Sequence, residues 1–277
     1  LENLLTFCRK MKEIMYNMGK KIIKNNIPSV SGTIKKDFNL STLTWFKVGG
    51  KAEVFFIPKD KKDLVSFLKK LDKNTPIKVL GAGSNILIRD GGIRGVTISL
   101  VKNFSNISYI KNQKILVGAG VNCIKLSRDC ALKSLKGLEF FSGIPGTVGG
   151  AIRMNAGAYG HETSDILEKI LTVTKRGKIK EYNKEELKMS YRKNSLNKDE
   201  IILQALFTCK KGKKKHIQDD INKLRERRQK TQPITLKTSG STFKNPSNLQ
   251  AWKLIKQSGC SKLKKGGAEV SSLHTNF

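Results

Sequence analysis

The stretch GLEFFSGIPGTVGGAIRMNAGAYG, from Gly137 to Gly160, is the passage that most constrains this chain. Glycines recur at three-residue steps (Gly143, Gly146, Gly149), followed by Gly150 and a second cluster of small residues from Asn155 to Gly160. Positions without a side chain let backbone come very close to another body, at an entropic cost. That body is either another part of the chain or a bound molecule.

The bulk properties set the frame. At 277 residues and 38% hydrophobic the chain can bury a real core, and its length alone predicts about two domains. No run of about 18 uncharged apolar residues is present to cross a bilayer. The opening LENLLTFCRKMKEIMYNMGKK scatters charges where a signal peptide would be apolar. No membrane association and a cytoplasmic address are therefore expected. The five cysteines are odd in number and never form CxxC, and the three histidines never form HExxH, so no metal site is expected. Cys123 and Cys130 are seven apart on a predicted helix and read as packing residues.

A formal charge of +32 invites a nucleic-acid reading, because Lys and Arg neutralise phosphates. The distribution argues against it. Of 54 basic residues only Arg153 falls between Gly137 and Glu168, where even spacing would put about six. Lysine fills the surface and stays out of the glycine-rich stretch. The densest basic run, Cys209 to His216 followed by Arg225 to Lys230, reads as a linker and a solvated helix face rather than a polyanion site.

Along the chain, residues 1–34 read as a basic, partly helical extension. AEVFFIP is strand-like, and Asp60 is placed to cap a helix with Leu64, Phe67, Leu68 and Leu71 on one face. IKVLGAGSN runs from strand into glycine turn. The segments NILI, GVTISL, ISYI and KILVGAG read as short β elements, and Asn122 caps a helix expected to reach about Leu135. ILEKILTVT and KIKEY predict a hairpin across Arg176-Gly177. IILQALFTC alternates like a half-buried strand, and a polar helix spans about Lys214 to Lys230. A last helix, LQAWKLIKQSG, stops at Gly259.

Glycine turns after strands commonly cradle phosphate, but the best-known versions fail here. GAGSNI (Gly81 to Ile86) has Ile and GAGVNC (Gly118 to Cys123) has Cys where a dinucleotide fingerprint needs its third glycine, and no GK[ST] occurs. Neither a Rossmann domain nor a P-loop is supported.

Seven segments in order carry a resemblance instead. They are Phe46-x-Val48-Gly49-Gly50, Leu80 to Asn85, Gly143 to Ala151, Met154 to Gly160, Tyr191-Arg192, Gly240-Ser241-x-Phe243-Lys244-Asn245-Pro246, and Gly266-Gly267-Ala268-x-Val270-Ser271-x-x-His274-x-Asn276-Phe277. Together, over about Asp37 to Phe277, they resemble the UDP-N-acetylenolpyruvoylglucosamine reductase family in its shorter form. The resemblance implies a mixed α/β and α+β architecture: a vanillyl-alcohol-oxidase-type (PCMH-type) FAD domain of two lobes, about 35–103 and 104–210, followed by a smaller α+β substrate domain over 211–277.

It further implies FAD and NADPH as cofactors, and a UDP-sugar enolpyruvyl ether as substrate, reduced to UDP-N-acetylmuramate for peptidoglycan. The cofactor-binding residues would be Gly81, Ala82, Gly83, Ser84 and Asn85, with Gly120, Pro145, Gly146, Thr147, Gly149, Gly150, Ala151, Asn155, Gly157 and Ala158. Arg192 would stabilise the charge that develops and Ser241 would donate a proton to C2. Tyr191, Lys244 and Asn245 would contact the substrate or its nucleotide. Physically the assignment is coherent: converging N–H groups suit a pyrophosphate, and a permanent cation suits a developing enolate.

Departures from the family pattern are Asn194 two residues after the arginine, where Ser is usual, Lys47 where Arg is common, and a missing glycine in GCSKLKKGGA. Family members also continue past the HxNF motif with a helix and a strand bearing a third catalytic residue, a glutamate. This sequence ends at Phe277, so an incomplete substrate domain is expected, with FAD binding more robust than turnover. An FAD-binding homologue without turnover and a basic nucleic-acid-binding protein remain as alternative readings.

Overall fold

The computed structural model describes residues 27–277. The expected N-terminal extension lies outside these residues except for its last segment, 27–34.

Two sheets organise residues 33–208. The first contains β1 (Thr33–Asn39), β2 (Lys51–Ile57), β3 (Ile77–Val79) and β4 (Ile93–Ile98) in the order β1-β2-β4-β3. The β1–β2 pair is antiparallel and the other two pairs are parallel. Parallel neighbours need a crossover, and helix α1 (Lys61–Lys70) supplies the one after β2. Successive side chains of a strand point to opposite faces, and β2 buries both. Phe56 packs on Phe67 of α1 with ring centroids 4.3 Å apart, while Phe55 stacks on Phe38 at 4.7 Å on the other side. As expected, Asp60 caps α1, its carboxylate accepting from Asp63 N at 2.9 Å, and Leu64, Phe67, Leu68 and Leu71 are buried. Asp63 itself turns back and accepts from the backbone N–H groups of Ser31, Gly32 and Lys59 at 2.7, 3.0 and 2.9 Å, which ties the chain before β1 to the helix.

The second sheet is antiparallel throughout. It contains β5 (Ile107–Ile110), β6 (Lys114–Gly118), β10 (Leu167–Thr174), β11 (Ile179–Asn183) and β12 (Glu200–Thr208), ordered β11-β10-β12-β6-β5. Between β6 and β10 the chain makes helix α2 (Cys123–Leu132), a short strand β7 (Leu135–Lys136), helix α3 (Val148–Arg153) and a small hairpin of β8 (Gly157–Ala158) and β9 (His161–Glu162). Asn122 caps α2 as expected, its side chain accepting from Lys125 N at 3.0 Å. Cys123 and Cys130 are buried, in keeping with a packing role.

Three local expectations are corrected. NILI forms no strand: Ile88 is buried in a cluster with Leu40, Ala52, Phe55 and Leu80, but the segment is irregular. Helix α2 stops at Leu132 rather than about Leu135, because Ser134 takes φ +58° and Leu135 begins β7. Strand β12 is not half-buried. It lies at the centre of its sheet with almost every side chain covered, from Glu200 through Phe207, so the alternation visible in the sequence marks no solvent face.

Beyond β12 come β13 (Lys210–Lys211), which pairs with β7, and helix α4 (Lys214–Thr231). The expected boundary at 210–211 thus cuts through β13, and α4 packs back on the second lobe, with Ile217 and Ile221 against Ala131. After Pro233 the chain holds α5 (Ala251–Gln257), a single 3-10 turn (Cys260–Lys262) and a two-residue pairing of β14 (Lys264–Lys265) with β15 (Ala268–Glu269). No helix among the described residues is long and apolar enough to cross a membrane, and no group of three or more His, Cys, Asp or Glu could hold a metal ion there.

Glu200 shows how the second sheet tolerates a buried charge. Its side chain is 4% exposed. Its carboxylate accepts from Thr172 Oγ1 at 2.9 Å, Lys180 Nζ at 3.0 Å and Tyr182 OH at 2.9 Å. Burial pushes its pKa up, but the hydrogen bonds and the Lys180 charge outweigh this and hold it below the ordinary 4.5. A depressed folded-state pKa adds stability that is complete above the ordinary value and is lost as pH falls through the folded one. Urea titrations across this acid range should show that slope in the wild type. Glu200→Gln should be less stable at pH 7, with its acid slope flattened; an unchanged slope would refute the role given to Glu200.

Candidate active site

The two lobes meet through two glycine loops. The first, Gly81 to Asn85, leaves β3 and is pinned by Trp45 N donating to Gly83 O at 3.0 Å. Gly83 takes φ +67°, and a Cβ there would lie 2.3 Å from Leu43 O, so both conformation and space require glycine. The second, Gly143 to Ala151, is held on the junction of β6 and α2. Cys123 N donates to Gly146 O at 3.0 Å, Val148 N to Val121 O at 2.9 Å, and Gly149 N to Ala119 O at 2.9 Å. Thr147 caps α3, accepting from Gly150 N at 3.3 Å. The loops touch where a Cβ on Gly81 would come within 2.7 Å of Thr147 Oγ1.

Between them opens a cleft of about 450 Å³. Its wall brings together Gly81 to Asn85, Pro145 to Thr147, Gly150, Ala151, Gly157, Ala158, Arg192 and Ser241, residues from both lobes and from the C-terminal segment.

Arg192 sits at the tip of a tight turn. Ser190 and Lys193 exchange backbone hydrogen bonds at 2.9 and 3.0 Å, and Arg192, the second of the two central residues, has φ +56°. A turn with positive φ at that position favours glycine, so an arginine there is strained by about 1–2 kcal/mol. Three side chains hold the strained turn. Asn155 donates to Ser190 O at 3.2 Å. Asn194 donates to Ile152 O and Arg153 O, both at 2.9 Å. Arg153 donates to Leu196 O at 3.2 Å, to Asn197 O at 3.0 Å and to Glu200 O. Backbone strain that surroundings over-determine in this way marks functional sites.

Ser241 follows Gly240, whose φ is +80°. The next two residues are clasped by Asn276, which is 4% exposed. Thr242 N donates to Asn276 O at 2.9 Å, Phe243 N to Asn276 Oδ1 at 2.9 Å, and Asn276 Nδ2 to Phe243 O at 2.9 Å.

Comparison with known proteins places these features. Residues 52–183 match the FAD binding domain family. Residues 232–277 match the C-terminal domain of UDP-N-acetylenolpyruvoylglucosamine reductase. The reductase of Rickettsia bellii (strain RML369-C) is 47% identical over 252 residues, which is 91% of this chain and 83% of that protein. That of Rickettsia canadensis (strain McKiel) is also 47% identical over 252 residues, 91% of this chain and 85% of that protein. The chain belongs to the UDP-N-acetylenolpyruvoylglucosamine reductase family. The crystal structure of the Thermus caldophilus reductase superposes with a TM-score of 0.78 at 32% identity, over 90% of this chain and 88% of that one. The fold reaches further: 6-hydroxy-D-nicotine oxidase from Arthrobacter nicotinovorans superposes with a TM-score of 0.54 at 18% identity, over 68% of this chain and 44% of that one.

Within this reductase family fold the cleft fits a flat dinucleotide. Gly146 and Gly150 both face it, and a Cβ on either would meet no protein atom closer than 3.8 and 3.5 Å respectively. Packing within the chain does not require glycine at these two positions.

Not every expected residue reaches the cleft wall. A Cβ on Gly120 would lie 2.2 Å from Leu100 O, and one on Gly149 would lie 3.0 Å from Ala119 Cβ, so both serve close packing of the chain on itself. Asn155 is buried beneath the Arg192 turn. Tyr191, Lys244 and Asn245 bridge the two parts instead: Asn245 N donates to Tyr191 OH at 3.3 Å and Lys244 Nζ to Arg192 O at 3.5 Å. Sequence reasoning missed Arg153, Tyr159, Arg228 and Gln232, which do line the cleft. The exclusion of basic residues from the glycine stretch singled out Arg153 and was the available signal. Arg228 lay hidden in a run of like charges.

Adjacent glycines should answer substitution in opposite ways. Gly150→Ala adds a Cβ in open cleft and is expected to raise stability by about 0.5–1 kcal/mol while weakening FAD binding. Gly149→Ala, pressed on Ala119, is expected to lower the Tm. Thermal melts with and without FAD check both. Arg192→Gly should relieve the turn and stabilise the fold by about 1 kcal/mol, with turnover lost; a destabilised variant would contradict the strain assignment.

Proposed function

We propose that this chain carries its family's reaction, reduction of a UDP-N-acetylglucosamine enolpyruvyl ether to UDP-N-acetylmuramate, with the two glycine loops holding FAD and with NADPH as reductant. The observation that carries the reading is the shared cleft: flavin-type glycine loops, a strained arginine and a serine from the C-terminal segment line one cavity.

When bound, FAD supplies a hydride at N5, replenished by NADPH. The residues of the chain then do the following. Arg192 holds the substrate carboxylate. As hydride adds to C3, the C2–C3 π pair moves onto C2 and that carboxylate, and Arg192 is the cation facing the new charge. At about 4 Å and an effective dielectric near 20, such a charge contributes on the order of 4 kcal/mol. Ser241 Oγ–H delivers the proton to C2, which completes the addition of hydride and proton across the double bond. Asn276 keeps the Ser241 loop in place through its three hydrogen bonds. Gly81 to Asn85 present backbone N–H groups and two polar side chains to the pyrophosphate.

We assign the flavin lobes to about 35–103 and 104–231, and the substrate unit to the segment after the Gln232-Pro233 turn. The support is the packing of α4 on the second lobe.

Anaerobic flavin spectroscopy tests the assignment. Protein reconstituted with FAD should bleach with NADPH and recover its colour on adding the enolpyruvyl substrate. Ser241→Ala should still bleach but recover about 10²–10⁴-fold more slowly. Equal recovery rates would remove Ser241 from the role of proton donor, and no flavin bands after reconstitution would remove the whole reading.

A further inference from the structure

Helix α4 carries seven Lys and Arg side chains: Lys214, Lys215, Lys223, Arg225, Arg227, Arg228 and Lys230. Six are exposed. Arg228 alone is partly buried, because it turns into the cleft between the lobes. There its Nε donates to Gln232 Oε1 at 3.0 Å, and its other N–H groups meet no acceptor among the described residues. The cleft wall also contains no Asp or Glu. Helix-end electrostatics do not explain the placement, since Lys230 complements the C-terminus of α4 while remaining in water. Taking a guanidinium out of water without a carboxylate is costly, and burial does push its pKa down. Such a group is completed by an anion that arrives with a ligand.

The other two arginines in the wall are accounted for. Arg153 is spent on three backbone carbonyls, and Arg192 faces the reacting end of the substrate under the proposal above. Lys244, expected near a nucleotide diphosphate, instead reaches Arg192 O.

We propose that Arg228, oriented by Gln232, is a diphosphate-binding residue of the cleft. A planar guanidinium fixed through Nε leaves its two terminal nitrogens free to take two phosphate oxygens at once, a geometry lysine does not offer. Both ligands of the family reaction contain this group, the flavin dinucleotide and the nucleotide sugar. The inference rests on the cleft being their site.

Inorganic pyrophosphate is the probe that does not depend on the flavin. It should raise the Tm of flavin-free wild type. That shift should be lost in Arg228→Gln and kept in Lys230→Gln, which removes the same charge from the same helix turn. Two titrations then identify the source. If Arg228 serves the flavin, Arg228→Gln should weaken FAD about 10- to 100-fold while riboflavin, which has no phosphate, binds unchanged. If it serves the substrate, FAD is unaffected, and UDP-N-acetylglucosamine binding followed calorimetrically weakens by a similar factor. Pyrophosphate stabilising wild type and Arg228→Gln equally, or neither, would overturn the proposal. So would an equal loss of FAD and riboflavin, which is what a collapsed cleft wall would give. Failure of wild type to bind FAD, with the pyrophosphate effect intact, would instead count against the flavin reading.

Discussion

The cleft depends on how one loop is held from behind. Backbone groups of Gly146, Val148 and Gly149 are bonded to the β6–α2 junction, so the segment from Gly143 to Ala151 is fixed by the body of its own lobe and not by its own side chains. That arrangement frees its front surface. Because the anchoring uses only peptide groups, the loop can present glycines outward without losing its position. The first lobe then needs to meet it at a single point, and the contact of Gly81 with Thr147 provides one.

The same economy governs charge. A chain with a net charge of +32 would repel its own arginines from any shared cavity unless each had a local reason to be there. Arg153 has three carbonyls, and the turn that bears Arg192 is held in a conformation it would not adopt alone. Arg153, Asn155 and Asn194 converge on the Ser190 to Asn197 segment from below. The arginine proposed to act on the substrate is thus positioned by three other side chains. The departure from the family pattern at Asn194 is absorbed here, since its amide supplies two of these bonds.

Much of the fold was legible because its signals are local. Caps at Asp60 and Asn122, the hairpin across Arg176-Gly177 and the stop after α4 depend on neighbours within a few residues. The glycine loops were legible through their order along the chain. What escaped was set by distant partners. IILQALFT alternates weakly, and only its central place between β6 and β10 buries both its faces. NILI has strand composition, yet Ile88 packs against Gly49 and takes no partner strand. Asn155 sits in a small-residue motif and looks like a ligand contact, but its side chain is spent on Ser164 N and Ser190 O.

The glycines of the opening stretch therefore answer two different demands, and sequence alone cannot separate them. Gly143, Gly149 and Gly157 are crowded by Tyr159, Ala119 and His161, so the chain needs them small in order to fold. Gly146 and Gly150 face open space, so nothing within the chain needs them small. Helix propensity argues against a glycine at position 150, within α3, and its presence there runs against local stability. A local preference contradicted without any packing reason is where function most often overrides folding. The close approach that this stretch implies is thus partly to the chain itself and partly, at Gly146 and Gly150, to whatever fills the cleft.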